Sequence, residues 1–315
     1  MTKTVCIYHV ADMDGCCSAA LLYAFLPKDQ DPIEFIGYNY QGWLTAAYLL
    51  SKYPDMERVA LVDISIEPEE MQHLLASGVR IVWCDHHESA IQKALSSGLI
   101  SSLPGAMTTY KTGNFTAWLS QNKFCGAQLT WEMLKSTLGM EHQAVDFDYL
   151  VELIGAWDTW DLNSDYRHYA ECLNAYMSSL KDIRPKNDDD IWKQLFVDPT
   201  YLNWCINEGE TYLMVEKRRN ARIASQFFTL NWEGVRFCAV NAKGNSQLAD
   251  SVFDPDQHDA VLLFSWYGKV GKWKISMYAG TSNELNLHTI AEKYGGGGHK
   301  GACGFFADNL PFALK

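Results

Sequence analysis

Ile81-Val82-Trp83-Cys84-Asp85-His86-His87-Glu88-Ser89 is an apolar run that ends abruptly in ionisable side chains. In an open parallel α/β sheet a buried strand reads as a short uninterrupted apolar segment, and ligands bind outside the carboxyl ends of such strands. Asp85, His86 and His87 therefore stand where chemistry is expected. An Asp-His-His tripeptide alone carries little weight, because surface loops contain such residues freely. Matching points elsewhere raise it: His9, Asp12 and Asp14 follow an apolar run at Thr4–His9, Asp63 stands near the end of Arg58–Ile64, and Asp158 follows a helical pattern over Phe147–Ala156.

The intervening pattern supports this frame. Strands are expected at Thr4–His9, Ile33–Tyr38, Arg58–Ile64 and Val79–Cys84, with helices over Cys17–Phe25, Gln41–Leu50 and Glu67–Ala76 between them. Strictly alternating strands and helices predict a parallel, doubly wound sheet with right-handed crossovers. Residues 103–124, with Pro104, Gly105, Gly113 and Asn114, read as a loop-rich surface run. A helix then starts at Cys125-Gly126, with Leu129, Met133, Leu134 and Trp131 facing the core.

The length of 315 residues and a hydrophobic fraction of 48% suffice for two cores. Nine cysteines, with Cys16 and Cys17 adjacent, lack the spacing of a disulfide framework and suit a reducing compartment. No apolar run is long enough to span a membrane, so a soluble, cytoplasmic protein is expected. The net charge of −12 arises entirely before residue 229: residues 1–228 hold 18 basic and 30 acidic side chains, and residues 229–315 hold 8 of each. Binding of long duplex nucleic acid depends on Lys and Arg neutralising phosphates, so such a partner is not expected.

His9, Asp12 and Asp14 lie within six residues, and imidazole with carboxylate is a ligand set for manganese, iron or zinc. Asp12 or Asp14 can equally cap the following helix, and Asp63 can cap the helix at Glu67–Ala76, where Pro68 suits the first turn. Cys16, Cys17 and Ser18 read as helix packing.

Taken together, His9-x-x-Asp12-x-Asp14-Gly15, Val62-Asp63, Asp85-His86-His87, Gly155-Ala-Trp-Asp158 and Gly295-Gly-Gly-Gly-His-Lys-Gly-Ala-Cys-Gly304 resemble the DHH/DHHA1 phosphoesterases, in the family's order over nearly the whole chain. That family includes nanoRNases, single-strand exonucleases and, with a different second domain, family II pyrophosphatases. The resemblance implies one metal held by His9, Asp12 and Asp63 and a second held by Asp14, Asp63, His86 and Asp158, with Asp63 bridging. It also implies that Asp85 orients a ligand and that His87 faces the scissile phosphate. It favours Asp158 over Asp161, which is read as a cap or solvated charge. Two divalent ions of this kind activate water and stabilise charge on phosphoryl oxygens, so no protein nucleophile is required. Manganese is the expected metal, with magnesium and cobalt as alternatives.

Three segments are expected: a DHH catalytic domain at 1–185, a linker and connecting helix at 186–228, and a smaller α/β domain of DHHA1 type at 229–315. The linker includes Arg184-Pro185-Lys186-Asn187 as its approach, the acidic run Asp188–Asp190, and a helix over Ile206–Phe228 with Lys217, Arg218, Arg219 and Arg222 as a solvated face or a rim for a nucleotide backbone. In the last segment, strands are expected at Gly234–Val240, Ala260–Ser265, Lys272–Met277 and Cys303–Phe306, with helices at Ser246–Phe253 and Leu287–Tyr294. Between the last helix and strand, Gly296, Gly297, Gly298 and His299 resemble the family's loop for gripping the distal part of a substrate. Tyr278 stands where relatives often carry an arginine; it can stack on a base but cannot pair bidentately with phosphate.

The expected activity is hydrolysis of short oligoribonucleotides to nucleoside monophosphates. The alternatives are hydrolysis of linear or cyclic dinucleotides or of 3′-phosphorylated nucleotides, then inorganic pyrophosphate, then a catalytically dead nucleotide-binding regulator. A homodimer is compatible with the sequence.

Overall fold

Continuous apolar runs need burial on both faces, and alternate residues of each central strand here serve two different cores. The computed structural model describes residues 3–25, 33–40, 42–121, 123–139, 145–185, 191–280 and 285–314, with backbone only at 3, 145, 146 and 299. Its first elements are β1 (Lys3–His9), α1 (Met13–Phe25), β2 (Ile33–Tyr38), α2 (Ala46–Lys52), β3 (Met56–Val62), α3 (Pro68–Ala76), β4 (Arg80–Asp85) and α4 (Glu88–Ser96). Cys6, Tyr8, Ala60, Val62 and Cys84 face one core, while Val5, Ile7, Val59, Leu61, Ile81 and Trp83 face the other. Both faces of the sheet are thus covered, as a doubly wound α/β architecture requires.

The chain continues through β5 (Thr108–Thr112), β6 (Phe115–Leu119), α5 (Gly126–Leu138), α6 (Val145–Asp158), α7 (Arg167–Ser179), α8 (Ile191–Val197) and α9 (Pro199–Ile223). The six strands lie in the order β2-β1-β3-β4-β6-β5. All neighbours are parallel except the edge pair β5 and β6. The region expected to be a surface loop at 103–124 is therefore corrected: Gly113-Asn114 is a hairpin turn, with Gly113 at φ +55°. Phe115, Ala117 and Leu119 of β6 are buried in the core shared with β4.

Other boundaries also differ from expectation. The helix expected from Gln41 begins instead at Ala46, capped by Thr45, whose side chain accepts from the amide of Tyr48 at 3.2 Å; Gln41 lies outside the described residues. The stretch expected to run along the surface from Lys181 to Trp204 contains α8 and the start of α9. Trp192, Leu195, Phe196, Leu202, Cys205 and Ile206 pack there into the core with α1 and α6. Lys186, Asn187 and Asp188–Asp190 lie outside the described residues. α7 has no counterpart among the expected elements, and its Ala170, Cys172, Leu173, Tyr176 and Met177 join the same core. α9 starts earlier than expected, with Pro199 in its first turn and Asp198 accepting from the amide of Thr200 at 2.9 Å, and it ends at Ile223, so that Phe228 belongs to a strand.

The chain divides into two compact units, 1–213 and 214–315, the division falling within α9. The second unit contains β7 (Phe228–Trp232), β8 (Val235–Val240), β9 (Ala260–Tyr267), β10 (Lys272–Ala279), α10 (His288–Lys293), β11 (Gly297–His299) and β12 (Ala302–Ala307). Its sheet runs β11-β12-β10-β9-β8-β7, with β8 and β9 parallel and the other pairs antiparallel. The helix expected over Ser246–Phe253 is only a short 3₁₀ turn at Ser246–Ala249. The glycine run is not an open loop: Gly297 pairs with Gly304 and Gly298 with Cys303. A Cβ on Gly296 would collide with the carbonyl oxygen of Gly304, so close strand packing explains that glycine.

Candidate metal centre

β1 and β3 are adjacent, while β2 continues the sheet on one side and β4 on the other. This is a topological switch point, where strand-end loops diverge and leave a crevice. His9 ends β1, Asp12 lies in the turn that follows, and Asp14 is the second residue of α1. Asp63 leaves β3 with φ +55°, a left-handed conformation that Asp tolerates better than most residues. Asp85 ends β4, His86 and His87 follow it, and Asp158 closes α6. All eight side chains come from the first unit.

Their atoms form two groups that meet at Asp63. Nδ1 of His9 lies 2.6 Å from Oδ2 of Asp12 and 3.5 Å from Oδ2 of Asp63. Nε2 of His86 lies 3.2 Å from Oδ1 of Asp63, 3.3 Å from Oδ2 of Asp158 and 3.7 Å from Oδ2 of Asp14. Asp63 thus turns one oxygen toward each group.

Supporting contacts fix these orientations. Asp14 accepts from the amides of Gly126 at 2.7 Å and Ala127 at 2.6 Å, so the start of α5 holds its carboxylate with two of the helix's otherwise unpaired N–H groups. A Cβ on Gly126 would fall onto Asp63, which explains the glycine there. Asp85 is fully buried. Its Oδ1 accepts from the amides of His86 and His87 at 2.8 and 3.1 Å and lies 2.7 Å from Nδ1 of His87, while Oδ2 accepts from the indole N–H of Trp83 at 3.0 Å. Asp85 thus contacts the amide of His86 and both the amide and the imidazole of His87. Nε2 of His9 lies 3.3 Å from Oδ1 of Asn39, leaving Nδ1 directed at the carboxylates.

Charge in this cluster is under strong mutual pressure. Burial, then the charges of Asp63 and Asp158, push Asp14 above the usual carboxylate range. Burial also raises Asp158, to about 6, with His86 opposing and Asp63 adding to the rise. Burial would lower His9, but the neighbouring carboxylates of Asp12 and Asp63 carry it up to about 11. Burial likewise opposes ionisation of His86, and Asp158, Asp63 and Asp14 overcome it.

The donor set fits divalent cations. Nδ1 of His9, Oδ1 of Asp63 and Oδ2 of Asp158 are buried without a hydrogen bond of proper geometry. Ligand atoms of His9, Asp12 and Asp63, and separately those of Asp14, His86 and Asp158, each converge within 4.8 Å; so do those of Asp63, His86 and His87. Converging lone pairs on buried carboxylates and imidazoles are costly without a positive charge, and mixed nitrogen and oxygen ligands suit manganese-type ions.

Of the residues of the first unit singled out in the sequence, Asp161, Cys16 and Cys17 do not join this centre. Asp161 is exposed and accepts from the amide of Asn163 at 3.0 Å, closing a turn. Cys16 and Cys17 are buried in the core, where burial raises both thiols well above their usual range. Gly296, Gly297, Gly298 and Tyr278 lie in the second unit, as do Lys217, Arg218, Arg219 and Arg222, whose side chains are exposed along α9; the side chain of His299 lies outside the described residues. Asn39 and the amides of Gly126 and Ala127 are not legible in the sequence, because backbone donors have no sequence signature and their partners are far away in the chain. Asp12 also borders a cavity of about 600 Å³ whose wall includes Asn174, Ser178, Lys181 and Arg184.

Comparison with known proteins agrees with this architecture. A family model described as the DHH family, N-terminal domain, matches residues 3–154. No curated protein matches the chain. A solved DHH domain, from a protein described as a member of a family of ribosomal proteins, shares 14% identity at a TM-score of 0.59, covering 98% of this chain and 83% of that one. An exopolyphosphatase-related protein from Bacteroides fragilis shares 12% identity at a TM-score of 0.52, covering 99% and 88%. The exonuclease RecJ bound to manganese shares 16% identity at a TM-score of 0.51, covering 97% and 86%. At these identities the likeness speaks for the fold, and the family model, whose span holds the ends of β1, β3 and β4, speaks for lineage. Over residues 3–154 the chain carries the N-terminal domain of the DHH family, whose members are phosphoesterases.

Proposed function

We propose that this metal-dependent phosphoesterase hydrolyses short oligoribonucleotides to nucleoside monophosphates, using two divalent ions, manganese in the first instance. The observation that carries this is the position of Asp63, with Oδ2 3.5 Å from Nδ1 of His9 and Oδ1 3.2 Å from Nε2 of His86. We assign His9, Asp12 and Asp63 to one ion and Asp14, Asp63, His86 and Asp158 to the other. When bound, such a pair lowers the pKa of water and neutralises charge growing on phosphoryl oxygens.

The chain's own groups do the rest. Asp85 holds the His87 ring through Nδ1, so Nε2 is the atom assigned to meet the scissile phosphate. Burial opposes a proton on His87, but the charge and hydrogen bond of Asp85 raise its affinity for one. Hydrolysis adds a water oxygen to phosphorus and breaks one P–O bond, and the departing ribose oxygen needs a proton; Nε2 of His87 is the donor we assign. Gly296, Gly297, Gly298 and His299 are assigned to the distal part of the substrate. The manganese-bound exonuclease among the structural neighbours is compatible with such a substrate class. The acidic balance before residue 229 supports short substrates over long ones.

The test is a substrate panel with purified, manganese-loaded protein: short RNA, short DNA, cyclic and linear dinucleotides, 3′-phosphorylated nucleotides and pyrophosphate. Highest kcat/KM on short RNA with monophosphate products supports the proposal. Highest kcat/KM on pyrophosphate, or no hydrolysis of any member, rejects it.

A further inference from the structure

Tyr40 and Trp43 are exposed aromatic residues that neither core uses, and one of them touches the candidate centre. Tyr40 follows β2 and is 48% exposed, and Trp43 is 44% exposed. The Tyr40 ring centroid lies 6.0 Å from that of His9 and 5.9 Å from that of His87. Behind it, Tyr38 lies 6.1 Å from Tyr40 and 5.5 Å from Trp43, and Trp43 meets Tyr48 edge-on at 5.3 Å. The aromatic patch therefore runs from the two imidazoles outward across the surface of the first unit.

Two features show that Tyr40 is held in place. Its φ is +53°, a conformation that a bulky side chain rarely adopts and that persists only where surrounding contacts enforce it. Its ring meets those of His9, Tyr38 and His87, while about half of the side chain remains exposed. A tyrosine needed only for packing would bury its ring. Here the backbone is strained, neighbouring rings meet the side chain and about half of it is left open.

We infer that Tyr40, extended by Trp43, is a stacking platform for a nucleobase of the substrate whose phosphate meets His87. This rests on the nucleotide-hydrolase proposal above. Every base has a π-face, so stacking on an aromatic ring binds nucleotides with little sequence preference. It also grips substrate without adding cations to an acidic part of the chain. Binding through the base fixes the nucleotide beside the imidazoles, and it confers preference for nucleotides over phosphates that lack a base.

The experiment compares wild type with Tyr40→Ala, Tyr40→Phe and Tyr40→Trp, each checked for folding by circular dichroism. Kinetics are measured with manganese on a diribonucleotide and on its abasic counterpart. Tyr40→Ala should raise KM for the diribonucleotide about 10- to 100-fold, the range for loss of one stacked base, and leave the abasic substrate unchanged. Tyr40→Trp and Tyr40→Phe should stay much closer to wild type. Equal changes on both substrates, or no change on either, overturn the inference.

A binding arm separates it from the proposed activity. Titration calorimetry of the manganese-loaded protein with AMP and with ribose 5-phosphate should show a preference for AMP of about tenfold or more in wild type, lost in Tyr40→Ala. If wild type hydrolyses no oligoribonucleotide, the proposed activity falls while this comparison still decides the platform. Absence of an AMP preference in wild type, or its persistence in Tyr40→Ala, overturns the platform.

Discussion

Asp63 presents Oδ1 to Nε2 of His86 at 3.2 Å from a backbone held at φ +55°. Asn shares Asp's tolerance of this conformation and its shape, so Asp63→Asn removes charge without adding backbone strain. The variant should fold as wild type does, bind fewer than the proposed two ions per chain, and lose at least about 100-fold in kcat/KM. Elemental analysis after gel filtration, with circular dichroism and initial rates, checks this. Wild-type metal content in Asp63→Asn would contradict the shared role.

Gly126 lies against Asp63 while its amide holds Asp14 at 2.7 Å. A methyl group at 126 must displace the start of α5 or Asp63. Overpacking of this kind costs about 1–3 kcal/mol. A small misplacement of catalytic groups can cost about 100-fold in rate. Gly126→Ala should therefore lower the melting temperature modestly and activity severely. A variant with wild-type kcat/KM would show that the close approach of residue 126 to Asp63 is not required.

Buried Asp14 and Asp63 and half-buried Asp158 repel one another, so bound cations should stabilise the fold. At 100 times its dissociation constant, an ion that binds only the folded chain adds about 2.7 kcal/mol. For a chain of this size that corresponds to a rise in melting temperature on the order of 5–10 °C. Differential scanning calorimetry of chelator-treated protein with added manganese should show the rise, and Asp63→Asn should show much less of it. No rise in wild type would contradict a cation site.

His87 is held at Nδ1 by Asp85, 2.7 Å away, and is not assigned to either ion. His87→Ala should lower kcat by about 10²- to 10⁴-fold, as loss of a proton donor does, while metal content stays near wild type. Loss of metal together with rate would move His87 into the ligand set.

The parallel core was legible because β1, β3 and β4 are buried on both sides and read as apolar runs, with ionisable residues at their ends. The same logic failed for β5, whose Thr-Thr-Tyr-Lys-Thr sequence is polar because it is a sheet edge. It failed again for α7 and α8, whose buried Leu173, Tyr176 and Trp192 are spaced among polar residues. Asp14 could be read as a cap for its own helix or, by the resemblance, as a metal ligand, and neither reading shows that it receives amides from the start of α5, 112 and 113 residues away. A partner at that separation leaves no local pattern. The glycine run looked like a loop because glycine permits both an open turn and close strand packing, and only pairing with β12 distinguishes them.

The most direct test of short-substrate hydrolysis is a length series of single-stranded RNA, from dinucleotide to about twenty residues, at fixed salt and saturating manganese. Phosphate contacts by Lys and Arg dominate binding of long strands, and residues 1–228 hold 18 basic against 30 acidic side chains. The account predicts that kcat/KM is highest for the shortest substrates and falls beyond about five residues. A kcat/KM that climbs steadily through the longest strand would contradict it and indicate a single-strand exonuclease.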